Sequence, residues 1–209
     1  MQRIHLFSAL ALLALAPAAY AIPDADGNLV DPAAVPDLSQ DGAMKARLNY
    51  NLGFETFQKT TQLELEGASF TGAKASDNQQ AVSAGFRKAR DNFRTAAATE
   101  PGMKEAWNMV GYTSRRVGDY EESLAAYDKA LALAPDYPEA IEYRAELFLL
   151  TGRLAQVKEA YATLQKSSSP AYASALKTSM KGFLKSKKPL PDSVQPADRD
   201  AFAAWVAKL

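Results

Sequence analysis

From Met44 onward, apolar residues return every three or four positions. Leu48, Leu52, Phe54 and Phe57, then Leu63 and Leu65, carry one helical stripe through MKARLNYNLGFETFQKTTQLELEG. Residues 67–77 (GASFTGAKASD) read as a loop, with Asp77 placed to cap a second helix that runs to about Glu100. Pro101-Gly102 stops it. Further helices are predicted over Met103 to Arg116, Tyr120 to about Leu133, Pro138 to Gly152, Arg153 to Lys166 and Ala171 to Leu184. Gly118-Asp119, Pro135 and the Ser167-to-Pro170 break punctuate them. After an exposed linker, Ser186 to Pro191, a short helix from Asp198 to Lys208 gathers Phe202, Trp205, Val206 and Leu209 on one side. No segment alternates with period two for long, so the expected class is all-α.

The pattern also repeats at a longer period. A shift of 34 residues lays Phe93 on Tyr127, Ala96 on Ala130 and Pro101 on Pro135. A second such shift lays Gly111 on Ala145, Gly118 on Gly152 and Tyr127 on Tyr161, while Pro135 misses Pro170 by one. Small residues fall on small ones, aromatics on aromatics and proline on proline. Each period holds one helical hairpin. Its small residues allow two helices to approach closely, its large ones fill the space between hairpins, and its proline turns the chain back.

These residues resemble the tetratricopeptide repeat family. In the best copy the family's tryptophan, Leu-Gly pair, alanine, second aromatic and proline are matched by Trp107, Val110-Gly111, Ser123, Tyr127 and Pro135, within and just ahead of NMVGYTSRRVGDYEESLAAYDKALALAP. The pattern's first aromatic is missing, because Ser114 stands there. The copy before it has a good second half, Ala89, Phe93, Ala96 and Pro101, and a first half at Leu52-Gly53 with Asn49 in the tryptophan place. Gly53 and Ala89 lie 36 positions apart where Gly111 and Ser123 lie 12 apart, an excess of 24 that two extended helices would absorb. A degenerate third copy, Pro138 to Ser169, holds Ile141, Ala145, Phe148, Gly152, Tyr161 and Leu164. The resemblance covers about residues 44–184 and implies a right-handed α-solenoid of about three hairpins with capping helices.

Ahead of the repeats, MQRIH and the apolar run LFSALALLALA lead to Ala19-Tyr20-Ala21, the layout of a secretory signal cut after Ala21, with Ala16-Pro17-Ala18 as an alternative site. The run is too short to span a bilayer, which takes about 20 apolar residues. Residues 22–42 read as an irregular leader, 43–184 as the repeat domain, and 185–209 as linker and terminal amphipathic helix. Asp24, Asp26 and Asn28 approach a calcium loop, but the glycine falls one residue early and Val35 holds the place of the bidentate glutamate.

Composition removes many chemistries. There is no cysteine, and the single histidine, His5, lies inside the signal. Export without a disulfide or a lipidation site points to the periplasm, with full secretion as the other destination. Ser–His and Cys–His catalysis, histidine-ligated metals and haem attachment are excluded from the mature chain, and no cofactor is expected. A formal charge of zero argues against nucleic acid.

The resemblance implies that the first helices of the repeats line a concave groove that binds a protein segment. By register this groove holds Arg47, Tyr50, Phe54 and Phe57, then Glu105, Asn108, Met109, Tyr112, Arg115 and Arg116, then Glu139, Glu142, Tyr143 and Glu146. It would be aromatic at one end and acidic at the other, with two arginines between. The Lys and Asn pairs by which some members grip a C-terminal carboxylate are absent, since Tyr50 and Phe54 hold the first two places. Lys181, Lys185, Lys187 and Lys188 form a basic stretch, read as a solvated linker. The expected function is a non-enzymatic adaptor of the cell envelope. The alternatives are a homo-oligomer joined through the last helix, or a hydrolase working with a pair of glutamates.

Overall fold

Asp41 starts the helical region. Its side chain accepts hydrogen bonds from the backbone of Ala43 and Met44 at 3.0 and 3.2 Å, so helix α1 spans Gly42–Gly67. The computed structural model describes residues 41–186 and 194–209. The signal, all but the last two residues of the leader, Lys187, Lys188 and most of the 186–191 linker lie outside the described residues.

Helix α2 spans Gly72–Thr99. The 67–77 loop is therefore corrected to a short turn over 68–71, closed by Phe70 N–H donating to Gly67 O at 3.0 Å. Asp77 caps nothing and lies exposed within α2. Once Gly72 takes a φ of +59°, the run Ala73-Lys74-Ala75 has good helix formers and no proline to delay the helix.

Helix α3, Lys104–Val117, ends where Gly118 turns left-handed at φ +89°; the amide of Asp119 then reaches back to Ser114 O at 2.9 Å. Asp119 caps α4, Tyr120–Leu133, by accepting from Glu122 N. Pro138 begins α5, Pro138–Leu150, and Gly152 at φ +74° turns the chain into α6, Leu154–Lys166. Helix α7, Pro170–Lys185, and helix α8, Pro196–Val206, complete the described chain. Both start on proline, α8 two residues earlier than Asp198.

The described residues are all-α, and the hairpins α1–α2, α3–α4 and α5–α6 stack as an α-solenoid. Each hairpin closes on a small residue set against an aromatic ring. A Cβ on Gly53 would lie 2.8 Å from the ring of Phe93, and one on Gly111 would lie 2.6 Å from that of Tyr127. Ala145 and Tyr161 repeat the pairing of types in the third hairpin, both buried. One apolar cluster joins α1 to α5 around Phe86, Phe93, Tyr112 and Tyr127. A second runs from α4 to the end around Val157, Leu164, Leu176 and Phe202. Helix α8 packs back on its own chain, with Trp205 edge-on to Tyr161 and Phe202 edge-on to Phe183.

The 24 extra residues sit where two extended helices would put them. At 26 and 28 residues, α1 and α2 are about twice as long as the 14-residue α3 and α4.

Candidate functional site

The first helices of the hairpins do come together. Phe57 of α1 meets Tyr112 of α3 edge-to-face at 5.3 Å, and Tyr112 meets Tyr143 of α5 at 5.1 Å. This ladder of rings crosses three hairpins.

The face is far more closed than a groove of free side chains. Tyr50, Phe57, Asn108, Met109, Tyr112, Arg115, Glu142, Tyr143 and Glu146 are all buried, and the side chain of Arg116 is only 5% exposed. Phe54, Glu105 and Glu139 are half-buried, and Arg47 is exposed. The cause lies in the ring sizes: large aromatics at successive first helices fill the inner face and meet one another. What remains open is the rim, at Arg47, Glu105 and Glu139.

The charges on this face are spent inside the molecule. Arg116 donates to both oxygens of Glu64 at 2.6 and 2.7 Å and to the hydroxyl of Tyr112 at 3.2 Å, and its guanidinium lies 4.3 Å from the Phe86 ring centre. Arg115 approaches Glu146 at 2.7 Å, off the axis of an aligned hydrogen bond. The hydroxyls of Ser179 and Tyr172 on α7 donate to Glu146 and Glu139. Burial, followed by the neighbouring Glu146 carboxyl, pushes Glu142 well above the usual carboxylate range; Arg115 opposes this without cancelling it. Burial also works against the charge on Arg115, but Glu146 and then the phenol hydroxyls of Tyr127 and Tyr112 outweigh it. Asn108 Oδ1 is buried with no hydrogen-bond partner among the described residues.

Several partners were hidden in the sequence. Glu64 sits in LELE and reads as helix surface, yet it anchors Arg116. Ser114, which breaks the aromatic pattern, donates to Glu122 Oε2 at 2.6 Å. Glu122 in turn accepts from Arg90 and Arg94 of α2, so a polar bridge between hairpins replaces a ring. Glu142 and Glu146 are 3% and 5% exposed, which closes them to the water and sugar that a carboxylate hydrolase must admit. Among the described residues no group of side chains could hold a metal ion, and no helix is long and apolar enough to cross a membrane.

Residues 104–137, over α3, α4 and the turn into α5, match the family model of the tetratricopeptide repeat. The chain is similar to a TPR repeat-containing thioredoxin of Arabidopsis thaliana, 37% identical over 82 residues, which is 39% of this chain and 12% of that protein. It is similar to a peroxisomal targeting signal receptor of Kluyveromyces lactis, 40% identical over 55 residues, 26% of this chain and 10% of the receptor. It is also similar to a protein O-mannosyl-transferase of Homo sapiens, 35% identical over 72 residues, 34% of this chain and 8% of the enzyme. The chain thus spans about a tenth of the length of these relatives.

Proposed function

We propose that this protein is a non-enzymatic scaffold that binds a segment of another protein along the inner rim of its hairpin stack, and that it works in the periplasm after removal of residues 1–21. The observation that carries this reading is the matched repeat at 104–137 set within a stack of like hairpins. Stacked repeats of this kind offer an extended inner face for a partner. A receptor for a targeting signal is among the proteins similar to it. The signal-like layout of the first 21 residues supports export.

The closed inner face moves the binding residues outward. Arg47, Glu105 and Glu139 remain open enough to meet a partner, whereas Tyr112 and Arg116 hold the stack together. A photo-crosslinking residue placed at position 47 or 105 in cells that export the protein is expected to capture a partner protein. Position 88 on α2, also exposed, serves as the control. Equal capture at all three positions, or capture only of further copies of the same chain, would overturn the assignment. Fractionation of the same cells tests the location: retention of the full-length chain in the cytoplasm would remove the export reading.

A further inference from the structure

Charge is divided unevenly along the stack. From Asp41 to Gly152, thirteen lysines and arginines stand against sixteen carboxylates, whereas the described residues from Arg153 onward hold eight against three. The first five helices are therefore mildly acidic and the last three basic. The ion pairs follow the same division. Those among the described residues join groups between Glu55 and Glu146, and they use Arg90, Arg94, Arg115, Arg116 and Arg144. None of the eight later cations has a carboxylate partner among the described residues. The three carboxylates nearby, Glu159 on α6 and Asp198 and Asp200 on α8, are all exposed.

Some of these cations are used within the fold. Lys177 donates to Leu209 O at 2.7 Å, Arg199 donates to Leu184 O at 2.8 Å, and Lys158 lies 5.5 Å from the Trp205 ring centre. Lys181 and Lys185 make no such contact among the described residues, and both are exposed. The register of α7 explains why. Tyr172 and Ser179 turn toward α5, while Ala173, Leu176 and Met180 enter the core. Lys177, Lys181 and Lys185 follow one another at four-residue spacing along the flank beside α8. The basic stretch expected as a solvated linker thus begins on a helix, which lines up its charges over about 12 Å.

We propose that this flank of α7, through Lys181 and Lys185 with Lys177 beside them, is a docking surface for a bilayer that contains anionic phospholipid. Residue type favours a bilayer over a folded acidic partner. The lysine ammonium is a hydrated point charge on a flexible stem, which suits a layer of phosphates with no fixed positions, whereas the planar fork of arginine suits a carboxylate held in one place. The chain spends its arginines on internal carboxylates and leaves lysines on this flank. A lysine that reaches an anionic bilayer strengthens binding about fivefold, so a row of this length gives a weak and reversible hold. The surface is separate from the inner rim. Tyr172, which bonds Glu139 there, leaves α7 on the side toward α5. Docking by α7 would hold the stack at its last helices and leave Arg47 and Glu105 open to a protein.

The test is flotation of the protein, as isolated from the cells that make it, with vesicles of phosphatidylcholine and phosphatidylglycerol in equal parts, beside vesicles of phosphatidylcholine alone. The quantity read is the preference for the anionic vesicles. Lys181→Gln with Lys185→Gln is expected to lower that preference about 25-fold. Lys74→Gln with Lys88→Gln removes the same charge from exposed positions on α2 and is expected to retain it. Equal loss in the two double variants, or no preference in wild type, would overturn the proposal. Salt at 1 M, where charges are screened beyond about 3 Å, is expected to abolish the wild-type preference, and a preference that survives it would also overturn the proposal. Binding of poly-glutamate through Lys181 and Lys185, with no binding of anionic vesicles, would assign the flank to an acidic protein instead.

Discussion

Arg116 reaches across from α3 to clasp both carboxylate oxygens of Glu64 on α1, at 2.6 and 2.7 Å, with side chains 5% and 13% exposed. The pair ties the long first hairpin to the repeat that follows it, and it does so beneath the aromatic face of Phe86.

Removing either partner strands the other charge in a buried site. Arg116→Met and Glu64→Leu are each expected to cost about 3–5 kcal/mol, whereas the double substitution returns most of that loss. A urea-unfolding double-mutant cycle measures the coupling. Additive losses would show that the clasp carries no coupling energy.

The glycine notches set how closely the helices pack. Gly111→Ala places a Cβ 2.6 Å from Tyr127 atoms, with 0% of that tyrosine exposed, and is expected to destabilise by about 1–3 kcal/mol. Gly53→Ala, 2.8 Å from Phe93, behaves alike. Gly102→Ala meets nothing within 4 Å and leaves stability within about 0.5 kcal/mol. Thermal melts of the three variants check the order.

Ser123 holds a position where the repeat pattern places alanine. Its hydroxyl donates to Gly111 O at 2.7 Å in a fully buried site. Ser123→Ala is therefore expected to lower stability by about 1 kcal/mol despite matching the pattern better. A gain in stability would mean that the tighter fit of alanine outweighs the hydrogen bond.

Phe202 is fully buried between α7 and the rest of α8, against Phe183 and Trp205. Phe202→Ala is expected to cost about 3–5 kcal/mol and to shift Trp205 fluorescence toward that of a solvated indole. Light scattering on the same variant bears on assembly. Unchanged mass for wild type at all concentrations would count against a dimer joined through this helix.

The hairpin count, the turn glycines and the 34-residue register were legible because each depends on a residue type that admits few substitutes. Gly118 and Gly152 need a left-handed φ, Pro138 needs a first-turn position, and Gly111 needs a ring against it. The start of α2 was not legible. Asp77 has the chemistry of a cap, but the turn at 68–71 had already been made by backbone that carries no comparable marker. The inner face was read as more open than it is. Helical register shows which residues look toward a neighbour, but it does not show how far away that neighbour stands. Tyr112 and Tyr143 therefore read as groove lining, although they touch each other. The partners of Arg116 and Ser114 lie 52 and eight positions away, and only packing brings Glu64 and Glu122 to them.

The added length of the first hairpin falls beyond its notch. Counted from the notch, residues 60–67 of α1 and 72–85 of α2 are beyond the length of the next hairpin's helices, about 12 to 20 Å of added helix at 1.5 Å per residue. Gly53 and Phe93 lie at the base, and the added length leaves them undisturbed. The repeat spacing is set at the base, and the added length is fastened to the next hairpin through the Glu64–Arg116 clasp. Adding about seven residues to each limb beyond Glu64 would keep both apolar stripes nearly in phase and leave the clasp in place. Hairpin length beyond the clasp is thus an independent dimension of this architecture, free to vary while the pitch of the stack stays fixed.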